Sequence, residues 1–187
     1  MRILVENVSP EDAVVLKKQL NTSELYVFGI AKRCIYGYPS IAVLNPVFDD
    51  SEKTINYTAL KNTLWLTCPF LNRKIHTLEG EGNISKIQSF LNSDREFLGK
   101  MQDANAHYYF FRKEVYFESS RLEFNDSLAE SFNSGVGGIK DVSSIKCLHM
   151  HYAHYQFCSS NLAGHITELM LNNEISCNEE LCKCSSC

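Results

Sequence analysis

Residues 146–155 bring three histidines and a cysteine together, a combination that suits metal binding. An α-helix turns by about 100° per residue, so that four potential ligands of this region fall within about 60° of one another. These four are Cys147, His151, His154 and Cys158. His149 points to another side of such a helix. Because thiolate and imidazole groups are good ligands of Zn²⁺ and suit Fe²⁺ as well, the spacing predicts a metal site on this helix.

Ligands from other parts of the chain must complete such a site. Cys34 ends a predicted strand, and Cys68 lies where a strand passes into a helix. The predicted ligands of one zinc or iron ion are Cys34, Cys68, Cys147, His151 and His154. His149 and His107 are candidates to orient a ligand or to act as a general base. Three thiolates favour a closed structural site, whereas an open position would let a metal-bound water hydrolyse a substrate.

Two other interpretations of the same residues remain open. In the first, Cys147, Cys34 or Cys68 is the nucleophile of a thiol-dependent enzyme and is activated by an imidazolium or a helix N-terminus. In the second, the protein is a non-catalytic partner-binding domain. Its cysteines and histidines then only fill the core, as buried cysteine and hydrogen-bonded histidine often do.

A glycine-rich loop leads into the histidine-rich helix. Gly135, Gly137 and Gly138 would let backbone N–H groups approach an anion, and Arg33 and Lys146 could add positive charge. The loop matches neither the P-loop nor the dinucleotide-binding fingerprint. In the thiol-enzyme interpretation it holds a small phosphorylated or carboxylated substrate. Otherwise it is a turn that packs its backbone tightly against the core.

Four more cysteines lie close to the C-terminal end. They follow a C-x₄-C-x-C-x₂-C pattern and are Cys177, Cys182, Cys184 and Cys187. Four thiolates at such short spacing could bind one Zn²⁺. Their neighbours are mostly polar, and chain ends are poorly ordered by default. We therefore expect one globular domain over residues 1–172 and a mobile, cysteine-rich tail over residues 173–187.

Composition limits the class of protein. With 187 residues, 44% hydrophobic and 21% charged, the chain can bury one substantial core. A formal net charge of −4 argues against a general nucleic-acid binder. No apolar run approaches the roughly 18 residues that span a membrane, and Glu6 comes too early for the apolar segment of a signal peptide. We expect a cytoplasmic protein whose eight cysteines serve metal or thiol chemistry rather than disulfides. The sequence names no partner.

The periodicity of apolar residues predicts the elements that position these groups. β-branched and aromatic runs predict three strands near residues 25–34, 40–48 and 62–67. Capping residues and helical spacing predict helices near residues 10–20, 69–78, 84–91, 93–117, 141–158 and 162–172. The expected fold is α+β, with a small antiparallel sheet of about three strands in the first third and five to six helices packed on it.

Four motifs in this order resemble an uncharacterised bacterial family, domain-of-unknown-function family 501, over about residues 28–170. They are residues 31–34 with 37–39, residues 65–71, residues 135–139, and residues 146–149 followed by His151 and His154. The resemblance places Cys34, Cys68, Cys147 and the three histidines of this helix in family motifs, and it leaves the tail cysteines outside them. The family has no established activity. Ile35 and the Asn161-Leu162-Ala163-Gly164 segment each stand where a family motif has a proline, and Cys158 is particular to this chain.

Overall fold

A computed structural model describes residues 5–49, 54–119, 126–141 and 143–171, and every structural statement below refers to these residues. The fold is α+β, as the sequence predicted. The main sheet is antiparallel and contains β1 (Val27–Arg33), β2 (Pro39–Leu44) and β5 (Leu64–Leu66) in the order β1-β2-β5. Two short strands, β3 (Val47–Asp49) and β4 (Thr54–Ile55), pair separately. The predicted cysteine-rich tail lies outside the described residues.

Eight helices account for most of the described chain, whereas the sequence predicted five to six. They are α1 (Pro10–Leu20), α2 (Tyr57–Lys61), α3 (Pro69–Gly80), α4 (Asn83–Leu91), α5 (Arg95–Ser119), α6 (Asp126–Phe132), α7 (Leu148–Tyr155) and α8 (Leu162–Met170). No helix was predicted at α2 or α6, since both are short and carry little helical periodicity. None of the described helices combines the length and the apolar character needed to cross a membrane.

The main core lies between the sheet and the helices. In β5, Leu64 and Leu66 are buried while Trp65 faces the other way and is exposed, because successive side chains of a strand alternate between its two faces. Tyr108 and Val115 of the long helix α5 are fully buried in the described structure. Helices α3, α4, α7 and α8 pack around the same cluster and thus bring the start of α7 beside β5 and α3.

Helix α7 is shorter than the helix predicted for residues 141–158. Cys147 is its N-cap, with an extended backbone (φ −144°), and the helix ends at Tyr155. The backbone at and just before its start makes tertiary contacts instead: the N–H of Ile145 donates to the Gln88 side chain, and the N–H of Leu148 donates to Glu79. Cys147 and Cys158 therefore lie outside the helix, and the expected four-ligand helical face is not formed.

Candidate metal centre

Three potential ligands meet where the end of α3 faces the start of α7. Glu79 lies in the last turn of α3, Cys147 caps α7, and His149 lies in its first turn. Their ligand atoms all lie within 4.8 Å of one another. All three side chains are partly buried. This arrangement brings together a thiol, an imidazole and a carboxylate, each of which can bind a transition metal.

The imidazole of His149 is oriented by the backbone of α3. Its Nε2 lies 3.0 Å from the carbonyl oxygen of Asn72, which can only accept a hydrogen bond, so Nε2 carries a proton and donates it. In the neutral ring the lone pair is then on Nδ1. That nitrogen lies 3.8 Å from the Cys147 sulfur and 3.2 Å from Glu79 Oε1. Ligand histidines are commonly held in this way, with the second ring nitrogen bound to a carbonyl or carboxylate.

These separations match those between ligands of one tetrahedral ion. Zinc bonds of about 2.3 Å to sulfur and about 2.0–2.1 Å to nitrogen or oxygen place sulfur and nitrogen about 3.6 Å apart, and nitrogen and oxygen about 3.3 Å apart. The observed distances from His149 Nδ1 are 3.8 Å to Cys147 and 3.2 Å to Glu79. The three groups could therefore bind one ion with little movement.

The Cys147 thiol is buried next to a carboxylate, whereas the Glu79 carboxylate accepts a backbone hydrogen bond. Burial raises the pKa of the Cys147 thiol, and the nearby Glu79 carboxylate raises that pKa further. The carboxylate accepts a hydrogen bond of 2.6 Å from the Leu148 N–H at the start of α7, where a negative charge is favoured. Without a metal, Cys147 is thus a protonated thiol. A bound cation would displace that proton.

A cavity of about 390 Å³ opens beside the cluster. Both Cys147 and His149 line it. The remaining lining residues combine polar and apolar groups: Asn62, Trp65, Leu66, Asn72, Gly137, Lys146 and Met150. Its volume lies in the range of small-molecule sites, about 300–1,000 Å³. An ion held by the cluster would therefore have room for a small ligand next to it.

A second group of potential ligands consists of His107, His154 and Cys158. Asn161 fixes the hydrogen-bonding state of His154. The side-chain oxygen of Asn161 accepts from the N–H of Gly164, so its amide nitrogen is the atom that faces His154 Nδ1, at 3.0 Å. Nδ1 must accept, which leaves the proton of a neutral ring on Nε2. This N–H points at His107 Nδ1, at 2.9 Å. The nitrogen that would have to bind a metal is therefore a donor.

His154 of this second group and the neighbouring His151 are buried and neutral. Burial lowers the pKa of His154 well below its usual value, and the nearby His107 and His151 lower that pKa further. Burial also lowers the pKa of His151 to about 4. His151 Nδ1 lies 3.2 Å from the Asn161 oxygen, and its Nε2 makes no hydrogen bond in the described structure. His107, His154, Asn161 and His151 thus form one hydrogen-bonded chain through the core.

The structure places Cys34 and Cys68 apart from Cys147. Both line a different cavity of about 180 Å³, on the side of the sheet where Tyr152 also lies. Cys68 is buried and Cys34 is half-buried. Among the described residues, neither belongs to a group of three or more potential ligands whose ligand atoms all lie within 4.8 Å of one another. The five predicted ligands are therefore spread over three locations.

The predicted anion-binding residues are also distributed. Gly137 and Lys146 line the cavity beside Cys147, whereas Gly135 packs against Asn105 and faces another cavity. Gly138 lies beside Asn62, with a left-handed φ of 74°. Arg33 pairs with Asp12 and Glu6 at distances of 2.7 Å and also donates to the Gly37 carbonyl.

Two residues of this site were missed by the sequence analysis, and each has a local signal. Glu79 is an acidic residue in the last turn of a helix, where the helix dipole favours cations. Such a local conflict is common at functional sites. Trp65, the single tryptophan of the chain, is 38% exposed between two buried leucines. Its position on the outer face of a strand could be read from the Leu-Trp-Leu alternation.

Comparison with known proteins gives one match. A family model described as "Protein of unknown function (DUF501)" matches residues 30–168. This range includes all three residues of the cluster, the glycine-rich loop and Trp65. No curated protein and no solved structure shows significant similarity to the chain.

Proposed function

Since the chain belongs to the DUF501 family, as its motifs predicted, and the family's description states no function, we propose one from the site itself. Glu79, Cys147 and His149 bind one divalent metal ion, zinc in the first place and iron in the second. The ion keeps a fourth position open towards the adjacent cavity and promotes hydrolysis of a small substrate. The observation that carries this proposal is the hydrogen bond from His149 Nε2 to Asn72, which turns the Nδ1 lone pair towards the other two ligands.

The ligand set favours a catalytic over a structural ion. Catalytic zinc sites use three protein ligands and leave one position for water or substrate, whereas structural sites are filled by four. A single thiolate also leaves more Lewis acidity on the metal than three thiolates would. Zinc lowers the pKa of a bound water to about 7, which supplies hydroxide at neutral pH. A ligand thiol that must stay reduced is consistent with the cytoplasmic location predicted from the sequence.

The same three residues fit a metal-free thiol enzyme less well. In such an enzyme the imidazole lies between the nucleophile and an orienting group, and each ring nitrogen serves one of them. Here the thiol and the carboxylate both approach Nδ1, and Nε2 is bound to the Asn72 carbonyl. The raised pKa of Cys147 also disfavours a reactive thiolate.

Elemental analysis of the purified protein tests the proposal. The full-length chain, with its four tail cysteines replaced by serine, is prepared without an affinity tag and without added metal. We expect about one equivalent of zinc or iron, and loss of that metal in Glu79→Gln, Cys147→Ser and His149→Gln. Circular dichroism of each variant checks that the fold is retained.

Cys34→Ser, Cys68→Ser and Cys158→Ser are the matched controls, and each should keep the metal. Loss of metal in Cys34→Ser or Cys68→Ser would instead favour the ligand set predicted from the sequence. Loss in Cys158→Ser would favour the second histidine group. A full equivalent retained in all three ligand variants would refute the proposed site.

A further inference from the structure

The cavity beside the proposed metal centre has several unused hydrogen-bond donors. Lys146 is exposed at its edge and forms no ion pair among the described residues. Gly137 lines the same cavity, and its backbone N–H forms no hydrogen bond with the described residues. The side chain of Asn62 lines the cavity as well, next to Gly138. An ammonium group, a backbone N–H and an amide around one space form a suitable site for an oxyanion.

Within the described part of the chain, no carboxylate competes for a ligand in this cavity. Its lining residues include Lys146 but neither aspartate nor glutamate. The carboxylate of the cluster, Glu79, accepts a hydrogen bond from the Leu148 N–H and is itself a proposed ligand of the metal. The charge of Lys146 therefore remains available to a ligand rather than being neutralised by the protein.

The side of the cavity formed by strand β5 is apolar. Trp65 is 38% exposed, and Leu66 and Met150 line the same space. An exposed indole on a rigid strand offers a flat apolar surface on which a ring can stack. Small-molecule sites typically combine such apolar walls with a few polar groups that fix orientation.

We propose that this cavity binds a small substrate that carries an oxyanion, a phosphate or a carboxylate, next to a planar apolar group. Lys146 binds the oxyanion together with Gly137 and Asn62, and Trp65 stacks on the planar group. This inference deepens the proposed function, since it names the substrate class that the metal centre would hydrolyse. Binding of the substrate by these residues does not require the metal and can be tested separately from it.

The chain itself provides the probe, because Trp65 is its single tryptophan. Selective excitation of tryptophan in the full-length protein reports directly on occupation of the cavity. Phenylphosphonate and benzoate combine a ring with an oxyanion and cannot be hydrolysed at the bond between them. Methylphosphonate lacks the ring, and benzyl alcohol lacks the charge. We expect a saturable change in Trp65 emission with phenylphosphonate or benzoate, and at least tenfold weaker binding of the other two compounds.

Substitution then tests whether Lys146 binds the oxyanion. Lys146→Ala should weaken binding of the better ring anion at least tenfold, while Lys146→Arg retains it. Lys140→Ala is the matched control, since Lys140 is an exposed lysine of the same loop region that lines another cavity, and it should bind as the unsubstituted protein does. The stronger response, to phenylphosphonate or to benzoate, distinguishes a phosphate from a carboxylate substrate.

Removal of the metal by a chelator separates this inference from the proposed function. Binding that persists after chelation and depends on Lys146 supports the oxyanion site even if the metal proposal fails. Binding that disappears on chelation and is unchanged in Lys146→Ala would place the anion on the metal and overturn the role of Lys146. Equal binding of benzyl alcohol and the ring anions, or no response of Trp65 to any compound, would overturn the substrate class.

Discussion

In a neutral imidazole only one ring nitrogen offers a lone pair, and the hydrogen bond at the other nitrogen decides which one it is. For His149 the Asn72 carbonyl accepts a hydrogen bond from the Nε2–H, so in the neutral ring Nδ1 faces Cys147 and Glu79 with its lone pair. For His154 the Asn161 amide N–H donates to Nδ1, so Nε2, the nitrogen that faces His107, carries the proton. Two clusters of similar composition thus differ in their ability to bind a metal.

The ion pair between Asp12 and Arg33 gives a pH-dependent contribution to stability. Hydrogen bonds from Arg33 lower the pKa of Asp12 from 3.8 to about 2. Because the pKa in the folded state is below that in the unfolded chain, this contribution is present above about pH 4 and is lost as the pH falls towards 2. Asp12→Asn should therefore reduce the free energy of unfolding by up to about 2 kcal/mol at neutral pH.

Urea unfolding of both proteins at several pH values between about 7 and 3 measures this difference. It should be largest and constant near neutral pH, and it should shrink at the acid end. Glu11→Gln, a change at an exposed residue of the same first turn, controls for the general effect of removing one negative charge. A difference between Asp12→Asn and the unsubstituted protein that is the same at pH 7 and pH 3 would contradict the assignment.

At the scale of elements, Arg112 of α5 connects three segments of the chain. Its buried guanidinium donates to the carbonyls of Leu60 in α2, Phe132 at the end of α6, and Ser134 before the glycine loop. The Tyr108 and Phe132 rings lie against it at 4.9 and 5.6 Å. Arg112→Met would remove these hydrogen bonds from the buried region, and we expect a loss of about 2–4 kcal/mol of stability.

Chemical denaturation of Arg112→Met and Arg112→Lys tests this role. Lysine keeps the charge but lacks the planar fork, so it should not restore more than a part of the loss. Lys100→Met, on the exposed face of the same helix, should change the free energy of unfolding by about 0.5 kcal/mol or less. An Arg112→Met variant as stable as the unsubstituted protein would show that the cost of burying the cation equals its hydrogen-bonding gain.

Helices α7 and α8 approach closely because a glycine lies at their contact. A Cβ atom on Gly164 would come within 2.2 Å of the His151 carbonyl oxygen and 2.5 Å of the Tyr155 Cβ. Gly164→Ala should therefore separate the helices and cost about 1–3 kcal/mol, as overpacking usually does. Gly99→Ala, in the interior of α5 with no neighbour within 4 Å, should stabilise the protein by up to about 1 kcal/mol. Thermal unfolding of the two variants should shift in opposite directions.

The local sequence was sufficient to predict the elements whose ends are set by local signals. Ser9 and Asp12 form the capping box of α1, and β-branched residues define β1 and β2. The local sequence was not sufficient for α7, because the backbone N–H groups around the start of that helix bind side chains of α3 and α4 that lie far away in the sequence. A helix start that depends on tertiary partners has no capping signature.

At the scale of the whole molecule, the sequence identified some residues that line the candidate site but not the residues that packing brings beside them. Cys147, Gly137 and Lys146 were singled out and lie at one cavity. Glu79 lies 70 positions away from its contact with His149, and only the packing of α3 on α7 brings the two together. Cys34 and Cys68 share the residue type of Cys147, but the sheet directs them to another cavity.

The proposed metal centre joins α3 to α7 in the main core, so an ion bound there should stabilise the whole fold. A ligand that binds only the folded state adds about 2.7 kcal/mol at a hundredfold excess over its dissociation constant. For a chain of this length that amounts to a rise of about 5–10 °C in Tm. We expect zinc to produce this rise in the full-length protein with serine at the four tail cysteines, and a chelator to reverse it. Glu79→Gln should abolish the response and Cys34→Ser should retain it, both followed by differential scanning calorimetry. A zinc-dependent rise of the same size in Glu79→Gln would mean that the stabilising ion binds elsewhere.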